Sequence, residues 1–496
     1  MGIVTRQSIK ATIATYLAVV IGYLNLGYFF PKIFSTEQIG LISFLLGTST
    51  LLVCVFQMGI PTTIIRFSPV IKKNHSEKSF YSFSLLIPLL VFALVFGTLY
   101  LFLNAILNTF YAENELIKNN IYYVPVFTFL IGFTGVFAAH CNSKLRIVIP
   151  TIIEKFISRL LILLLIVFVI LGWIKFEDFI NGYILVYLVC FILTYIYFKK
   201  LSQDRPNKEK KLTLQNKKEM LRFGAISFLT AIGARIVENI DVIMISSIID
   251  LSNAGIYKIA FYIGGVIMIP LGTIGQISSP LFAQFWETKS LRKIDDLYKK
   301  ASINLILIGG ILFVGVFINL DNIFRVMPNG QDFVKGKWVI LIIAIGKLIN
   351  MGLSLNGHLL QNSKYYYFNT YCIVFLGVLT IITNLIFIPI WGIIGAAFAS
   401  ALSLIIFNLI KFVFILSKFK MHPFSSMTIP AILIILLAVF LNYLFPQIEN
   451  VFLDIFYRST IISILYIGIA YYGNISKEFN TQLNKFTFNK LPWKRS

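Results

Sequence analysis

The sequence contains few charged residues, few cysteines and few hydrophilic stretches, and each shortage excludes a class of protein. Charged residues make up 13% of the 496 residues and hydrophobic residues 58%, and the mean hydropathy is +0.83. Soluble domains carry about 25% charged residues, so an ordinary soluble protein is excluded. The cysteines form neither a disulfide framework nor the spacing of a metal site. They are Cys54, Cys141, Cys190 and Cys372.

Catalytic and nucleotide-binding motifs are also missing. The sequence has no Gly-x-Ser-x-Gly motif and no Walker A motif, so neither a serine hydrolase nor an ATP-driven pump is indicated. The hydrophilic stretches that would face outward are short, the longest being 319–336, so no soluble catalytic domain is inserted there. We therefore predict no enzymatic activity, no cofactor and no bound metal.

Long apolar segments, in contrast, follow one another along the whole chain. We count about fourteen of them, most with 20 or more residues. A bilayer core about 30 Å thick needs about 20 apolar residues in a helix, and lipid-exposed backbone has to satisfy its hydrogen bonds internally. The sequence therefore predicts an all-α integral membrane protein with about 14 transmembrane helices.

Acidic residues are scarce relative to basic ones. The chain has 43 Lys and Arg against 21 Asp and Glu, and its formal net charge is +22. Most basic residues lie at the termini and in the even-numbered loops, a distribution that marks the cytoplasmic side of a membrane. We therefore predict a multi-pass protein of the cytoplasmic (inner) membrane with both termini in the cytoplasm. Because topology accounts for the positive charge, no nucleic-acid partner is expected.

Two pairs of landmarks indicate an internal repeat. Gly40 and Gly255 each follow a short polar loop at the start of an apolar segment, 215 residues apart. Trp173 and Trp391 each stand beside a glycine between two segments, 218 residues apart. Six spans return the chain to its starting side, so we predict two parallel six-helix repeats. The predicted domains are an N-terminal six-helix lobe (1–198), a basic cytoplasmic linker (199–220), a C-terminal six-helix lobe (221–416), and two additional C-terminal helices with a cytoplasmic tail (417–496).

Short motifs at corresponding places carry a family resemblance. They are Phe34–Phe44, Gln57–Pro61 with the following Arg66, Asn253–Tyr257, and the Asn-Leu-Ile-Phe-Ile-Pro…Gly-x-x-Gly-Ala-Ala turn of Asn384–Ala397. In this order and spacing they resemble the multidrug/oligosaccharidyl-lipid/polysaccharide (MOP) exporter superfamily. Within it, the chain is most similar to the polysaccharide repeat-unit (Wzx-like) flippases.

The resemblance implies the fold of MATE and MurJ transporters, with two lobes in a V around a cavity. It also implies a flippase for an undecaprenyl-diphosphate-linked oligosaccharide repeat unit, used in bacterial O-antigen, capsule or exopolysaccharide synthesis. Rocking of the two lobes would move the headgroup outward without bond chemistry. The implied partners are the lipid-linked oligosaccharide diphosphate and membrane lipid. H⁺ and Na⁺ are candidate coupling ions, and a polymerase of the same pathway is a candidate protein partner.

Three charged residues lie inside the seventh apolar segment, at Arg235, Glu238 and Asp241. A spacing of three places neighbours on adjoining positions of a helix, and a charge near the bilayer centre costs about 2.5–3.5 kcal/mol on insertion scales. We predict that Arg235 binds a phosphate group of the substrate, while Glu238 and Asp241 tune it or bind a coupling cation. The alternative is a self-neutralising ion pair that only fixes helix packing.

Other charged side chains inside or beside the spans are further candidates for substrate binding. Lys347 lies near the middle of the tenth segment, and Asn350 follows about one turn later. In the resembling transporters this span lines a central cavity. Lys347 would supply a second cationic contact for a diphosphate or a counter-ion for an acidic residue. Asn350 is grouped with the cation-coupling or charge-pairing candidates. Arg66 and Arg159, towards the cytoplasmic side, would capture the headgroup, or else snorkel to the interface.

Four other functions compete with this hypothesis. Two are transporters of the same superfamily, a cation-coupled drug antiporter and a lipid II flippase. The first apolar segment, 9–30, lacks the acidic residue of many such antiporters, and it has basic residues only at its entrance, where the lipid II flippase would have more. A non-transporting scaffold of envelope synthesis belongs to a different class of protein. A polysaccharide polymerase is the alternative that is an enzyme, and the short outward loops disfavour it. Charges within several spans favour transport over a scaffold.

Overall fold

The computed structural model describes residues 3–74, 77–202, 212–353 and 355–487, which are helical with short connections and contain no strand. Residues 203–211, the centre of the predicted linker, lie outside this description. The chain divides into two compact units, Met1–Lys258 and Ile259–Ser496.

The first unit contains long helices that could cross a bilayer and short helices that connect them. They are α1 (Ile3–Leu24), α2 (Phe30–Ile33), α3 (Thr36–Gln57), α4 (Ile60–Asn74), α5 (Glu77–Leu101), α6 (Leu103–Phe110), α7 (Glu115–Asn120), α8 (Tyr123–Ser143), α9 (Val148–Thr151), α10 (Ser158–Ile170), α11 (Phe176–Ser202) and α12 (Leu214–Ile248). The helix α13 (Leu251–Gly265) begins in this unit. Two π-helical turns, Asn25–Phe29 and Ile152–Ile157, join α1 to α2 and α9 to α10.

The second unit contains the remaining helices. They are α14 (Ile269–Glu287), α15 (Leu291–Ile318), α16 (Leu320–Val326), α17 (Lys337–Leu353), α18 (Leu355–Gln361), α19 (Tyr366–Phe419), α20 (Thr428–Leu441), α21 (Val451–Tyr472) and α22 (Lys477–Thr487). Short 3₁₀ turns occur at Val266–Met268, Gly330–Gly336 and Asn442–Leu444.

Eleven helices among the described residues are long and apolar enough to cross a membrane. Three places explain the difference from the predicted fourteen. The 54-residue α19 counts once although it bends in the middle, the helix Thr428–Leu444 is shorter than a full span, and α10 is preceded by a π-helical turn that interrupts the fifth segment. The protein is thus an all-α multi-pass membrane protein, and the count of fourteen stays a prediction.

The start of α3 shows how local sequence sets the helix boundaries. The Ser35 side chain accepts from Gln38 N at 3.2 Å, and Gln38 Oε1 accepts from Ser35 N at 3.1 Å. This reciprocal capping box satisfies two backbone donors that a helix start would otherwise leave unpaired. Glu37 in the first turn adds a favourable charge at the positive end of the helix dipole.

The two glycines that mark the predicted repeat pack against each other. A Cβ added to Gly40 would lie 1.8 Å from Leu251 O, and one added to Gly255 would lie 1.9 Å from Thr36 O. The contact is reciprocal, because each glycine meets the carbonyl four residues before the other. Only glycine fits such a backbone approach. The contact is what two copies of one motif meeting about a local two-fold axis would produce, and the repeat itself stays a prediction.

The second pair of landmarks marks two turns that require glycine. Gly172, between α10 and α11, has φ +73°, and Gly392 in the middle of α19 has φ 60° and ψ −135°. Residues with a side chain rarely adopt such angles. Gly392 follows Pro389, which lacks a backbone donor, and together they break α19 where the sequence separates the eleventh and twelfth segments.

The helices α20 and α21 pack on α15. Ile435 and Ile462 belong to a buried apolar cluster with Ile306 of α15, and Tyr466 donates a hydrogen bond to Leu307 O at 2.9 Å. In the first unit, α12 packs on α3 and α4, which is why that unit extends beyond the basic linker to Lys258. The predicted boundaries at 198, 220 and 416 concern duplicated units and stay a prediction.

Candidate functional site

The helix α12 presents an exposed ion pair in the middle of a membrane span. Arg235 Nη1 lies 2.7 Å from Glu238 Oε2, the pairing that a three-residue spacing predicts, and the side chains are 51% and 58% exposed. The backbone carbonyl of Arg235 also accepts from Asn239 Nδ2 at 3.2 Å. Charged groups within a membrane face water, a partner or a ligand, so this pair is positioned to meet a polar molecule.

Asp241 does not share the exposed face with Arg235 and Glu238. It is 3% exposed, and its Oδ2 accepts a hydrogen bond from the hydroxyl of Tyr257. With 3.6 residues per turn, each step of three rotates the side chain by about 60°, so two steps carry Asp241 away from Arg235. Asp241 therefore lies inside the packed unit, and its proposed part in cation coupling stays a prediction.

A π-helical turn brings Glu154 near this region. Glu154 lies within Ile152–Ile157 and interacts electrostatically with Arg235. The carbonyl of Arg159, just after the turn, accepts from Asn25 Nδ2 at 2.9 Å. Asn25 itself begins the other π-helical turn. Such turns are rare and concentrate at functional sites. The sequence indicated Arg159 but not the π-helical turn beside it.

Arg66 lies over an aromatic ring in the same unit. Its guanidinium carbon is 4.2 Å from the centroid of Phe223 on α12, and the residue is exposed. A guanidinium stacked on a ring keeps its N–H groups in the plane, where they remain available to an oxyanion. Arg66 is therefore held in place by Phe223 without losing its donors.

In the second unit, Lys347 and Asn350 occupy neighbouring turns of α17. Lys347 Nζ is 5.1 Å from the ring centroid of Phe261, and the residue is half-buried. Asn350 is 7% exposed. Its Oδ1 accepts from Asn408 Nδ2 at 2.8 Å, and its Nδ2 lies 3.3 Å from Met268 Sδ. Asn350 therefore joins α17 to α19, and its predicted part in cation coupling is untested.

Lys411 on α19 is a charge that the sequence analysis did not single out. It is 4% exposed, and its Nζ lies 3.7 Å from the centroid of Phe407. Within the described part of the chain, no carboxylate lies within 4 Å of it. A basic residue inside the apolar segment 393–416 was a sufficient signal, because charges within spans are rare and costly.

The described residues contain no group of three or more His, Cys, Asp or Glu side chains that could hold a metal ion. The four cysteines are buried and unpaired. The side chains described above are mainly cations and hydrogen-bonding groups within membrane spans. Such groups suit the binding of an anionic polar group.

Comparison with known proteins gives the family. The profile of the polysaccharide biosynthesis protein family matches residues 4–286, more than half of the chain. An uncharacterized membrane protein of Methanocaldococcus jannaschii is 26% identical over 421 residues, 81% of this chain and 95% of that protein. The probable low-salt glycan biosynthesis flippase Agl15 of Haloferax volcanii is 24% identical over 194 residues, 39% of this chain. That match spans 41% of the Haloferax protein.

Solved structures of transporters share the fold. The lipid II flippase MurJ in an inward closed conformation aligns with a TM-score of 0.73 and 18% identity, covering 94% of this chain and 100% of that one. An inward-facing multidrug resistance MATE transporter of the MOP superfamily aligns with a TM-score of 0.64 and 12% identity, covering 83% and 98%. The chain therefore belongs to the polysaccharide biosynthesis protein family, and it shares the fold of the MOP-superfamily transporters.

Proposed function

We propose that this transporter is a flippase for an undecaprenyl-diphosphate-linked oligosaccharide repeat unit, acting at the cytoplasmic membrane in polysaccharide synthesis. Family membership and the name of the Haloferax relative support a glycan-linked substrate. The observation that carries the proposal is the exposed pair of Arg235 and Glu238 within a span, because a diphosphate needs a cation at membrane depth.

Glu238 would act as a removable counter-ion for Arg235. Without substrate, Glu238 Oε2 accepts a hydrogen bond from Arg235 Nη1 at 2.7 Å. The carboxylate thereby offsets the cost of a positive charge within the bilayer. Two phosphate oxygens would replace it in a charge-assisted, bidentate contact, which a guanidinium forms well. The exchange needs two exposed partners, and both meet this condition.

The other cations would divide capture and passage between them. Arg66, stacked on Phe223, and Arg159, beside the π-helical turn, are the candidates for capture of the headgroup from the cytoplasmic side. Lys347 of the second unit would offer a further cationic contact to the diphosphate. Glu238 and Asp241, with Asn350, are the proposed sites of coupling to H⁺ or Na⁺. In this proposal the lipid-linked substrate and membrane lipid are the partners, and both termini are cytoplasmic.

The decisive experiment measures flipping of a lipid-linked oligosaccharide diphosphate in proteoliposomes. Arg235→Ala should lower the initial rate at least tenfold, because charge-assisted hydrogen bonds contribute about 1.5–3 kcal/mol. Arg235→Lys should retain part of the rate, because it keeps the charge but loses the bidentate geometry. Arg222→Gln is the matched control, since it removes an exposed Arg from the same helix and should leave the rate unchanged.

Three outcomes would contradict the proposal or the site that carries it. Recovery of flipping in the Arg235→Ala/Glu238→Ala double variant would make the pair a structural device. Export of a lipophilic cation, with no flipping of the lipid-linked glycan, would favour the drug antiporter, and flipping of lipid II alone would favour the other alternative.

A further inference from the structure

The second unit carries a polar cavity beside the segment 319–336. Its volume is about 700 Å³, within the range of small-ligand sites. The walls come from α16, the first turn of α17, the segment between α20 and α21, and the start of α21. The predicted topology places the segment 319–336 outside, whereas the substrate-binding side chains proposed above lie within spans or towards the cytoplasm.

The floor of the cavity is a buried and fully paired network. Asp454 and Arg458 are 2% and 4% exposed, and Arg458 Nε donates to Asp454 Oδ1 at 3.0 Å. Asn322 Nδ2 donates to the other carboxylate oxygen at 2.6 Å. Such a network fixes the positions of its members, because each polar atom taken from water has a partner.

That network positions one cation that has no carboxylate beside it. Arg325 Nη1 donates to Asn322 Oδ1 at 3.3 Å, and Nη2 donates to Glu449 O at 3.0 Å. Both acceptors are neutral, and among the described residues no carboxylate lies within 4 Å of Arg325. Lys337, in contrast, has Asp321 at 2.5 Å. The exposed guanidinium of Arg325 therefore retains a positive charge that favours an oxyanion.

Aromatic faces line the rim of the same cavity. Trp338 is 59% exposed and Tyr443 is 73% exposed, and Gln447 stands beside them with its amide exposed. Interfacial aromatic residues are common in membrane proteins, but a belt needs neither a cavity nor a buried polar floor. Flat apolar faces next to amides and charged groups suit a sugar, which presents C–H faces and hydroxyl edges.

We infer that this cavity is a second binding site, for a saccharide that bears an oxyanion, with the ring on Trp338 and the anionic group on Arg325. The assignment of the ligand to the outward-delivered glycan rests on the proposed function. The cavity would hold that glycan after translocation, before the next step of polymer synthesis.

The test measures binding of small probes to the full chain in nanodiscs of neutral lipid by calorimetry. Glucose 1-phosphate and glucuronate should bind saturably, whereas glucose and inorganic phosphate should each bind at least tenfold more weakly, since each meets only half of the site. Arg325→Gln should weaken binding of glucose 1-phosphate about tenfold or more. Lys335→Gln, which removes an exposed charge from the neighbouring segment, should leave it unchanged.

A second variant tests the aromatic wall. Trp338→Ala should weaken the binding of glucose 1-phosphate more than the binding of inorganic phosphate. Trp338→Phe should retain most of the affinity for glucose 1-phosphate. Equal affinity for inorganic phosphate and glucose 1-phosphate would overturn the saccharide assignment, as would binding that appears only in anionic lipid. No loss of affinity in either Arg325→Gln or Trp338→Ala would place the probes elsewhere.

The failure of this inference is distinguishable from the failure of the proposed function. Arg235→Ala should lose flipping yet bind glucose 1-phosphate normally, because the two sites share no residue. Normal binding in a protein that flips nothing would leave the cavity standing as a saccharide site and remove only the proposed source of its ligand.

Discussion

Two ion pairs, one in each unit, differ completely in their surroundings. The first joins residues three positions apart on a helix, and the second joins residues four positions apart. Arg235 and Glu238 are about half exposed and have each other as their close charged partner. Arg458 and Asp454 are 5% and 3% exposed at the side chain. The difference in surroundings, rather than the pairing, separates the proposed ligand site from a structural element.

The buried pair is a closed system. Besides Arg458, Asp454 accepts from Ile448 N at 2.8 Å and from Asn322, while Arg458 also donates to Asn442 Oδ1 at 3.0 Å. Both side chains are almost fully buried, so the pair is not open to a ligand. The exposed pair is open, because each partner can exchange the other for water or phosphate at little cost. An exposed ion pair typically contributes only about 0.2–1 kcal/mol.

The largest expected effect is on the buried pair. Asp454→Ala leaves the Arg458 guanidinium uncompensated among buried atoms, which typically costs about 3–5 kcal/mol. We expect a much lower thermal midpoint in detergent micelles and a poor yield of monodisperse protein. Asp332→Ala is the control, since Asp332 is exposed on the neighbouring segment. This variant should have the same thermal midpoint as the unaltered protein.

A double replacement sharpens this prediction. Asp454→Leu combined with Arg458→Met removes both charges, so it should be less harmful than Asp454→Ala alone. Recovery should be incomplete, because Asn322 and Asn442 lose their partners. A melt of Asp454→Ala that matches the unaltered protein would show that the pair does not hold α21 in place.

A smaller effect is expected for the exposed pair. A cycle of Arg235→Ala, Glu238→Ala and the double variant should give a coupling free energy of about 0.2–1 kcal/mol by thermal unfolding. The same Arg235→Ala protein should nevertheless lose flipping, so that stability and transport separate. A coupling of several kcal/mol would instead place this pair in the same class as Asp454 and Arg458.

The sequence was sufficient to predict the elements that local chemistry governs. The span assignments follow from hydropathy, the start of α3 from its Ser-x-x-Gln capping box, and the break in α19 from Pro389 and Gly392. The Arg235–Glu238 pair follows from helical spacing. Each of these depends on residues within a few positions of one another.

Features that depend on distant contacts could not be predicted in the same way. The burial of Asp241 depends on Tyr257 of the next helix, and the saccharide cavity depends on Arg325 being held by Asn322 and Glu449. Asn350 joins α17 to α19 through Asn408, which lies 58 residues away in the sequence. A single sequence shows the charges but not which of them the tertiary packing will cover.

The smallest expected effect concerns a third ion pair, between Lys300 and Glu478 of α22, whose side chains are well solvated. Lys300 Nζ lies 3.2 Å from Glu478 Oε1, with side chains 60% and 44% exposed. Partial burial alone would raise the pKa of Glu478, but its backbone N–H, Lys300 and the Ser476 hydroxyl together lower that pKa below the usual 4.5. The ionised form is thus favoured in the folded protein. Its contribution is complete above 4.5 and disappears as the pH falls through the lowered pKa.

Glu478→Gln should therefore lower stability by no more than a few tenths of a kcal/mol near pH 7, because both side chains are well solvated. The gap between the thermal midpoints of the two proteins should close as the pH is lowered to about 3. Lys300→Gln should show the same small gap near pH 7, and a difference that widened on acidification would contradict the lowered pKa. A graded series would result, in which the free energy at stake falls from Asp454 through Arg235 to Glu478. Exposure to water rather than geometry would then determine how much an ion pair contributes to the stability of this protein.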